Sequence, residues 1–158
     1  EQQILLSQLQ GWQVDTADGP TLEASKVVVA LGPWTTQLTA RFGYTAPVIP
    51  KRGYHMHYAR LPQRPLHRTI IDAENGYVIA PMKDGLRLTT GAELANVDSP
   101  RTPIQIDAAE KIARQSFPLG DRVDPEPWMG TRPCMPDMKP VFGPVPDVPG
   151  LWCASPGR

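Results

Sequence analysis

Nineteen prolines in 158 residues set the first limit on what this chain can fold into. Each proline locks φ and removes a backbone donor, so it breaks long helices and is tolerated in sheets only at edges, strand starts or bulges. Short strands and stiff connections are therefore expected rather than a bundle of long helices. The stretch from Trp128 to Pro144 is densest in residues that fix the backbone, with Gly130, Pro133, Pro136, Pro140, Gly143 and Pro144 surrounding one arginine, Arg132. A guanidinium is planar and offers several donors, which suits a carboxylate or a phosphate. The rigid frame points to a positioned contact. The competing reading pairs Arg132 with Asp137 across a turn.

Hydrophobic residues make up 41% and charged residues 20% of the chain, too apolar for a disordered one, and the length suffices for one modest domain with a real core. Lys+Arg and Asp+Glu both number 16, so no whole-chain basic field argues for nucleic acid. Cys134 and Cys153 are too few for a disulfide framework, and neither has metal-site spacing with a histidine. No apolar run is long enough to span a bilayer. Residues 1–10 lack the basic start and continuous apolar core of a signal peptide. The first residue is not methionine, and the chain reads as a fragment or a mature form.

Ile4 to Leu9 reads as a strand. Gly11 to Thr16 alternates with period two, Asp18-Gly19 marks a turn, and Thr21 to Ala24 can return as the partner strand. Lys26 to Leu31 has no polar alternation, which predicts a strand covered on both faces of a parallel or mixed sheet. Gly32-Pro33 ends it. Trp34 to Phe42 then reads as a helix with Trp34, Leu38 and Phe42 on one side and Gly43 as its stop. Such a strand, glycine turn and helix can aim backbone N–H groups at an anion, or can be plain packing.

Pro47 and Pro50 bracket a change of direction. In Lys51 to Tyr58, period two puts Tyr54, Met56 and Tyr58 on one strand face and His55 and His57 on the other. His-x-His is a metal pattern without a third ligand, so no metal is expected. Lys51-Arg52 reads as a solvated pair, or as a phosphate contact. Residues 59–68 read as a loop and 69–72 as a short strand. Asn75-Gly76 is a hairpin turn, and Tyr77 to Met82 pairs with Leu86 to Gly91 across Lys83-Asp84-Gly85. Ala92 to Ser99 reads as a loop. Thr102 can cap a helix over 103–117 whose apolar face is Ile104, Ala108, Ile112 and Phe117, with Asp107 and Glu110 as surface charge. Residues 120–127 form a rigid connector. Trp128 to Arg132, Pro140 to Gly143 and Leu151 to Ala154 are short extended pieces. The fold class is α+β: an antiparallel sheet with a packed helix beside a smaller α/β piece. Gly-x-Gly-x-x-Gly, a Walker loop, Gly-x-Ser-x-Gly and His-Glu-x-x-His are all absent.

Three segments carry a family likeness. They are Lys26 to Leu38 (with Val-Val-Val-Ala-Leu-Gly-Pro-Trp), Pro50-Lys51-Arg52-Gly53-Tyr54-His55, and Gly130-Thr131-Arg132-Pro133 followed by Pro136-Asp137 and Pro140 to Gly143. Thr90-Gly91-Ala92-Glu93 is a weaker fourth. In this order they resemble the C-terminal part of the FAD-dependent amino-acid oxidoreductases, the D-amino-acid dehydrogenase, glycine oxidase and sarcosine oxidase group. The resemblance implies a remnant of a Rossmann-like FAD domain over 1–49, a substrate domain over 50–127, and a segment returning toward the flavin over 128–158. It implies that Arg132 binds the carboxylate of a small amino acid, with Tyr54 or Tyr77 walling the pocket. Ala30, Gly32, Pro33 and Trp34 would lie against FAD. Hydride would pass from the substrate carbon to the flavin, and the imino acid would hydrolyse to a keto acid and ammonia. The family's N-terminal FAD-binding segment with its glycine fingerprint has no counterpart here. FAD is therefore expected in the full-length protein and not in these 158 residues alone, which should be inactive. The electron acceptor is left open, and the expected location is cytoplasmic or peripheral to the inner membrane face. A non-enzymatic binding or assembly module, and an FAD oxidoreductase of another substrate class, are the alternatives.

Overall fold

A computed structural model of the chain describes residues 3–7 and 11–157, with side chains from residue 11 onward. Strands β1 (Gln3–Ser7), β2 (Gly11–Asp15), β3 (Leu22–Ala24) and β4 (Val27–Val29) precede helix α1 (Thr35–Thr39). Strands β5 (Ile49–Tyr58), β6 (Ile70–Asp72), β7 (Tyr77–Met82) and β8 (Gly85–Leu94) precede helix α2 (Ile104–Ser116), and β9 (Trp128–Cys134), β10 (Val141–Pro144) and β11 (Leu151–Ser155) follow. The result is a mixed α/β architecture of largely antiparallel sheets with one packed helix. It divides into two compact units, one made by the residues up to Ile49 and from Pro133 on, the other by Pro50–Arg132. No helix among the described residues is long and apolar enough to cross a membrane.

In the first unit β1, β2 and β3 form an antiparallel sheet, joined at the Asp18-Gly19 turn as its residues dictate. The expected strand over 4–9 is present as Gln3–Ser7, and residues 8 and 9 lie outside the described ones. A second sheet has the order β10-β11-β4, with β11 parallel to β4 and antiparallel to β10. Trp12, Val29, Val145, Leu151 and Cys153 form the core here. Trp12 donates its indole N–H to Pro149 O at 3.1 Å and meets Phe42 edge-on at 5.4 Å.

Two expectations fail in this unit. Lys26 to Leu31 is not covered on both faces. Only Val27–Val29 pair as strand, and Val28 is 61% exposed on a face it shares, through the register, with Trp152 and Pro144. The uniform valine run hides which side carries the core. The helix over 34–42 is three short turns, with 3-10 geometry at Gly32–Trp34 and Ala40–Phe42 flanking α1. Thr35 and Thr39 are its buried residues, and Trp34 is 47% exposed. Gly43 does end it, with φ 78 in the left-handed region.

The second unit is a five-stranded sheet of order β6-β7-β8-β5-β9 with α2 against one face. Period-two alternation works as read: Tyr54, Met56 and Tyr58 are 2%, 1% and 0% exposed. They pack with Tyr77, Ile79, Leu86 and Leu88 of the sheet and with Ile106, Ala109 and Ala113 of α2. Of the expected helix face, Ile112 and Phe117 do pack against this core, whereas Ala108 is exposed and Ile104 is 74% exposed, Ile106 and Ala109 being buried in their place. Two small alanines let the helix backbone approach the large sheet side chains, which a hydropathy pattern does not weigh. Thr102 does not cap α2, because its hydroxyl is drawn to Glu93 Oε1. Strand β8 runs to Leu94, past the expected loop start at Ala92.

The longer β8 contains a bulge. Gly53 pairs with Ala92 and His55 with Thr89, so two steps on β5 oppose three on β8. The extra residue reverses the in–out alternation along β8. Arg87 and Thr89 oppose His57 and His55 on the side away from α2, whereas Glu93 opposes Arg52 on the buried side.

Candidate functional site

On the face away from α2, strands β5, β8 and β9 line a cavity of about 780 Å³. Its walls are Lys51 to His55 of β5, Arg87 and Thr89 to Ala92 of β8, and Trp128 and Gly130 to Arg132 of β9. Four of these residues are cationic and none is a carboxylate.

Arg52 is the one cation matched by an acid, and it is buried at 1% exposure rather than solvated as its sequence context suggested. Its Nε donates to Glu93 Oε2 at 2.9 Å, and its two terminal nitrogens donate to Ser99 O at 2.6 Å and Pro100 O at 2.9 Å. The Tyr54 hydroxyl donates to Glu93 Oε2 at 3.0 Å and accepts the Thr102 N–H at 3.0 Å. The Thr102 hydroxyl, then Tyr54 and Arg52, hold the Glu93 carboxyl below its ordinary range against the opposing effect of burial. This network ties the 95–102 loop to the cavity-lining part of β8.

Trp128 forms the other end of the cavity. Its indole stacks on His55 with centroids 4.6 Å apart and planes at 20°. It also lies across Gly130, where an added Cβ would come within 2.2 Å of the ring. Glycine leaves room there for the ring, and the backbone itself makes no demand for it. Burial lowers the His55 pKa, with the His57 and Arg87 charges acting the same way and Asp124 opposing, so the imidazole is neutral at pH 7. His57 is 3.4 Å from Asp124 and turns away from a metal role. No cluster able to hold a metal ion exists among the described residues.

Arg132 is exposed at the cavity, and no residue among the described ones pairs with its side chain. Asp137 closes its own turn, its Oδ1 accepting the Lys139 N–H at 3.1 Å. Strand β9 continues through Pro133, which an edge strand tolerates. Of the two expected wall tyrosines, Tyr54 borders the cavity but spends its hydroxyl on Glu93 and Thr102. Tyr77 is 1% exposed inside the core and does not line the cavity. Ala30, Gly32, Pro33 and Trp34 belong to the first unit. Ala30 and Trp34 are exposed, Pro33 is buried, and Gly32 has φ 56. Arg87 is not singled out in the sequence, and Trp128 and Glu93 enter there only as parts of longer segments, with no role of their own. Arg87 alternates with Leu86 and Leu88, and that pattern was the signal for its outward side.

Comparison with known proteins gives one family match, to the model described as DAO, FAD dependent oxidoreductase, over residues 3–157. The D-amino acid dehydrogenase of Paramagnetospirillum magneticum is 34% identical over 143 residues, 87% of this chain and 32% of that protein. The D-amino acid dehydrogenase of Vibrio cholerae is 32% identical over 127 residues, 79% of this chain and 30% of that protein. Among solved structures, glycine oxidase from Geobacillus kaustophilus superposes with TM-score 0.74 at 28% identity, covering 97% of this chain and 41% of that one. The iminodiacetate oxidase from Chelativorans, at 23% identity and TM-score 0.71, covers 99% of this chain and 43% of that one, and it shows the shared fold. The chain spans about a third of the length of the curated relatives it matches.

Proposed function

From the premise that the chain belongs to the FAD dependent oxidoreductase family, we propose that it serves the FAD-dependent oxidation of the C–N bond of a small amino acid. The observation that carries this is Arg132, unpaired on β9 in a cavity whose lining holds no carboxylate. A substrate carboxylate is the partner that such a site lacks. Kinship with two D-amino acid dehydrogenases supports the same class.

The chain's own residues account for binding and for the state of the amine. Arg132 holds the carboxylate through a two-pronged, charge-assisted contact. Trp128, flat on His55, closes one side of the cavity with an apolar plane. The lining cations disfavour an ammonium and so lower the pKa of the substrate amine. Loss of that proton exposes the lone pair that must form the C=N bond as hydride leaves the carbon. The imino acid so formed hydrolyses to a keto acid and ammonia. FAD, when bound, supplies the hydride acceptor.

The first unit fits the edge of a flavin site. Gly32 is left-handed, and Leu31 and Trp34 expose apolar surface at the end of β4. Nothing among the described residues cradles a pyrophosphate, and α1, at five residues, is too short to act as one. In this reading the pyrophosphate is held by chain beyond these 158 residues, in a protein that is cytoplasmic or peripheral to the inner membrane face.

The test is Arg132→Ala in the complete, flavin-loaded enzyme. It should cost about 2–5 kcal/mol in kcat/KM for amino acids, as does removal of one partner of a desolvated charge pair. Arg132→Lys keeps the charge but loses the fork, and should also be impaired. Flavin content should stay near that of the parent. Unchanged kcat/KM would end the carboxylate reading, and a large fall in thermal midpoint would assign Arg132 a structural role.

A further inference from the structure

The cavity holds more positive charge than one carboxylate can balance. Setting aside Arg52, which Glu93 neutralises, Lys51, Arg87 and Arg132 face it without an acid among the described residues. The β8 wall carries a sharper sign. Arg87 Nε is shut off from solvent and has no hydrogen-bond partner. Buried polar atoms are ordinarily paired, and an orphaned guanidinium N–H is costly. Such a group on the wall of a cavity marks a place where an acceptor is missing.

We infer that the substrate carries a second carboxylate, received by Arg87 while Arg132 takes the first. The substrate class is thus a dicarboxylic amino or imino acid. This rests on the reading of Arg132 given above. The sheet order supports the division of labour. Arg87 on β8 and Arg132 on β9 are separated by β5, two strand spacings or ~10 Å, and long side chains can close from both sides onto a short diacid. His55 and Trp128 lie on the intervening face. The imidazole is uncharged at pH 7 and does not compete for either carboxylate.

The experiment uses the flavin-loaded enzyme expressed from its complete gene, with anaerobic bleaching of the flavin as readout. Both enantiomers of alanine, proline, aspartate and glutamate are tested, with sarcosine and iminodiacetate. The dicarboxylates should show kcat/KM about tenfold or more above the monocarboxylates, the worth of one additional charge-assisted contact. Arg87→Gln should lower kcat/KM for dicarboxylates about tenfold more than for monocarboxylates. Should that variant fail to fold, the parent enzyme still decides through inhibitors, with succinate expected to compete about tenfold more tightly than butyrate. A preference for monocarboxylates, equal inhibition by the two acids, or equal losses for both substrate sets in Arg87→Gln would overturn the inference and leave the amino-acid reading standing. Absence of bleaching by every compound would overturn that reading, and this inference with it.

Discussion

Replacing Glu93 by alanine tests whether the Arg52 network is as integral as its geometry suggests. Arg52 is 1% exposed, and in the variant it keeps only the Ser99 and Pro100 carbonyls. Breaking a buried ion pair by removing one partner costs about 3–5 kcal/mol, because the remaining charge stays buried. Two carbonyls still solvate part of the guanidinium, and the Glu93 side chain is 21% exposed, so water reaches the vacated space. Both facts pull the expectation to the lower end, about 2–3 kcal/mol, including the acceptor lost by Tyr54. Denaturant unfolding read through amide exchange of β5 and β8 measures it in the second unit. The pH dependence supplies an independent check. The Glu93 carboxyl is held below its ordinary range, so its contribution is full above the unfolded value of ~4.3 and fades as pH falls through the lower folded value. The difference between parent and variant should therefore shrink between about pH 5 and pH 2. A loss under about 0.5 kcal/mol, or a difference that stays constant across that interval, would refute the reasoning.

Gly130→Ala should push the Trp128 indole off His55 at little cost to stability, since the ring is 58% exposed and can swing aside, with loss of the ring-current shift on the His55 protons as the signature. His55 should titrate below ~6.5 in an NMR pH series. Because its folded pKa is depressed, the unfolded chain takes up the proton first, so stability should fall as pH drops through the interval beneath that value, and His55→Asn should remove this slope. The 158-residue chain alone should purify without stoichiometric flavin. A yellow preparation carrying close to one equivalent by absorbance would contradict this.

Much of the sheet was legible because its signals are local. The alternation of Tyr54, Met56 and Tyr58 fixes a buried face by itself, and Asn75-Gly76 and Gly43 mark turns through their own φ preferences. What stayed hidden depends on partners far along the chain. Ile104 and Ala108 are as apolar as Ile106 and Ala109, and only the packing of α2 onto the sheet decides which pair is buried. Arg52 reads as one of two adjacent surface cations until the carbonyls of Ser99 and Pro100 are folded over it.

The same limit governs the site. Arg87 and Glu93 lie an even number of residues apart, which on an unbroken strand places both side chains on one face. An uninterrupted β8 would thus put a carboxylate among the cations of the cavity, where it would satisfy Arg87 or Arg132 and compete with any acidic substrate. The bulge opposite Gly53–His55 turns Glu93 to the other side, where it neutralises Arg52, and leaves the cavity lining without a carboxylate. One extra residue therefore separates the charge pair that stabilises the sheet from the unpaired charges available to a ligand. Deleting Gly91 takes out the extra residue, leaves Arg87 and Glu93 an odd number of residues apart, and so keeps Glu93 opposite Arg52 on the buried face in a regular ladder. The variant should keep both the Arg52–Glu93 pair and affinity for carboxylates, whereas Glu93→Ala loses the first and Arg87→Gln the second. Thermal unfolding together with succinate inhibition of the flavin-loaded enzyme measures both. Loss of both together would show that Glu93 had moved to the cavity face and that its pairing with Arg52 does not set the register of β8.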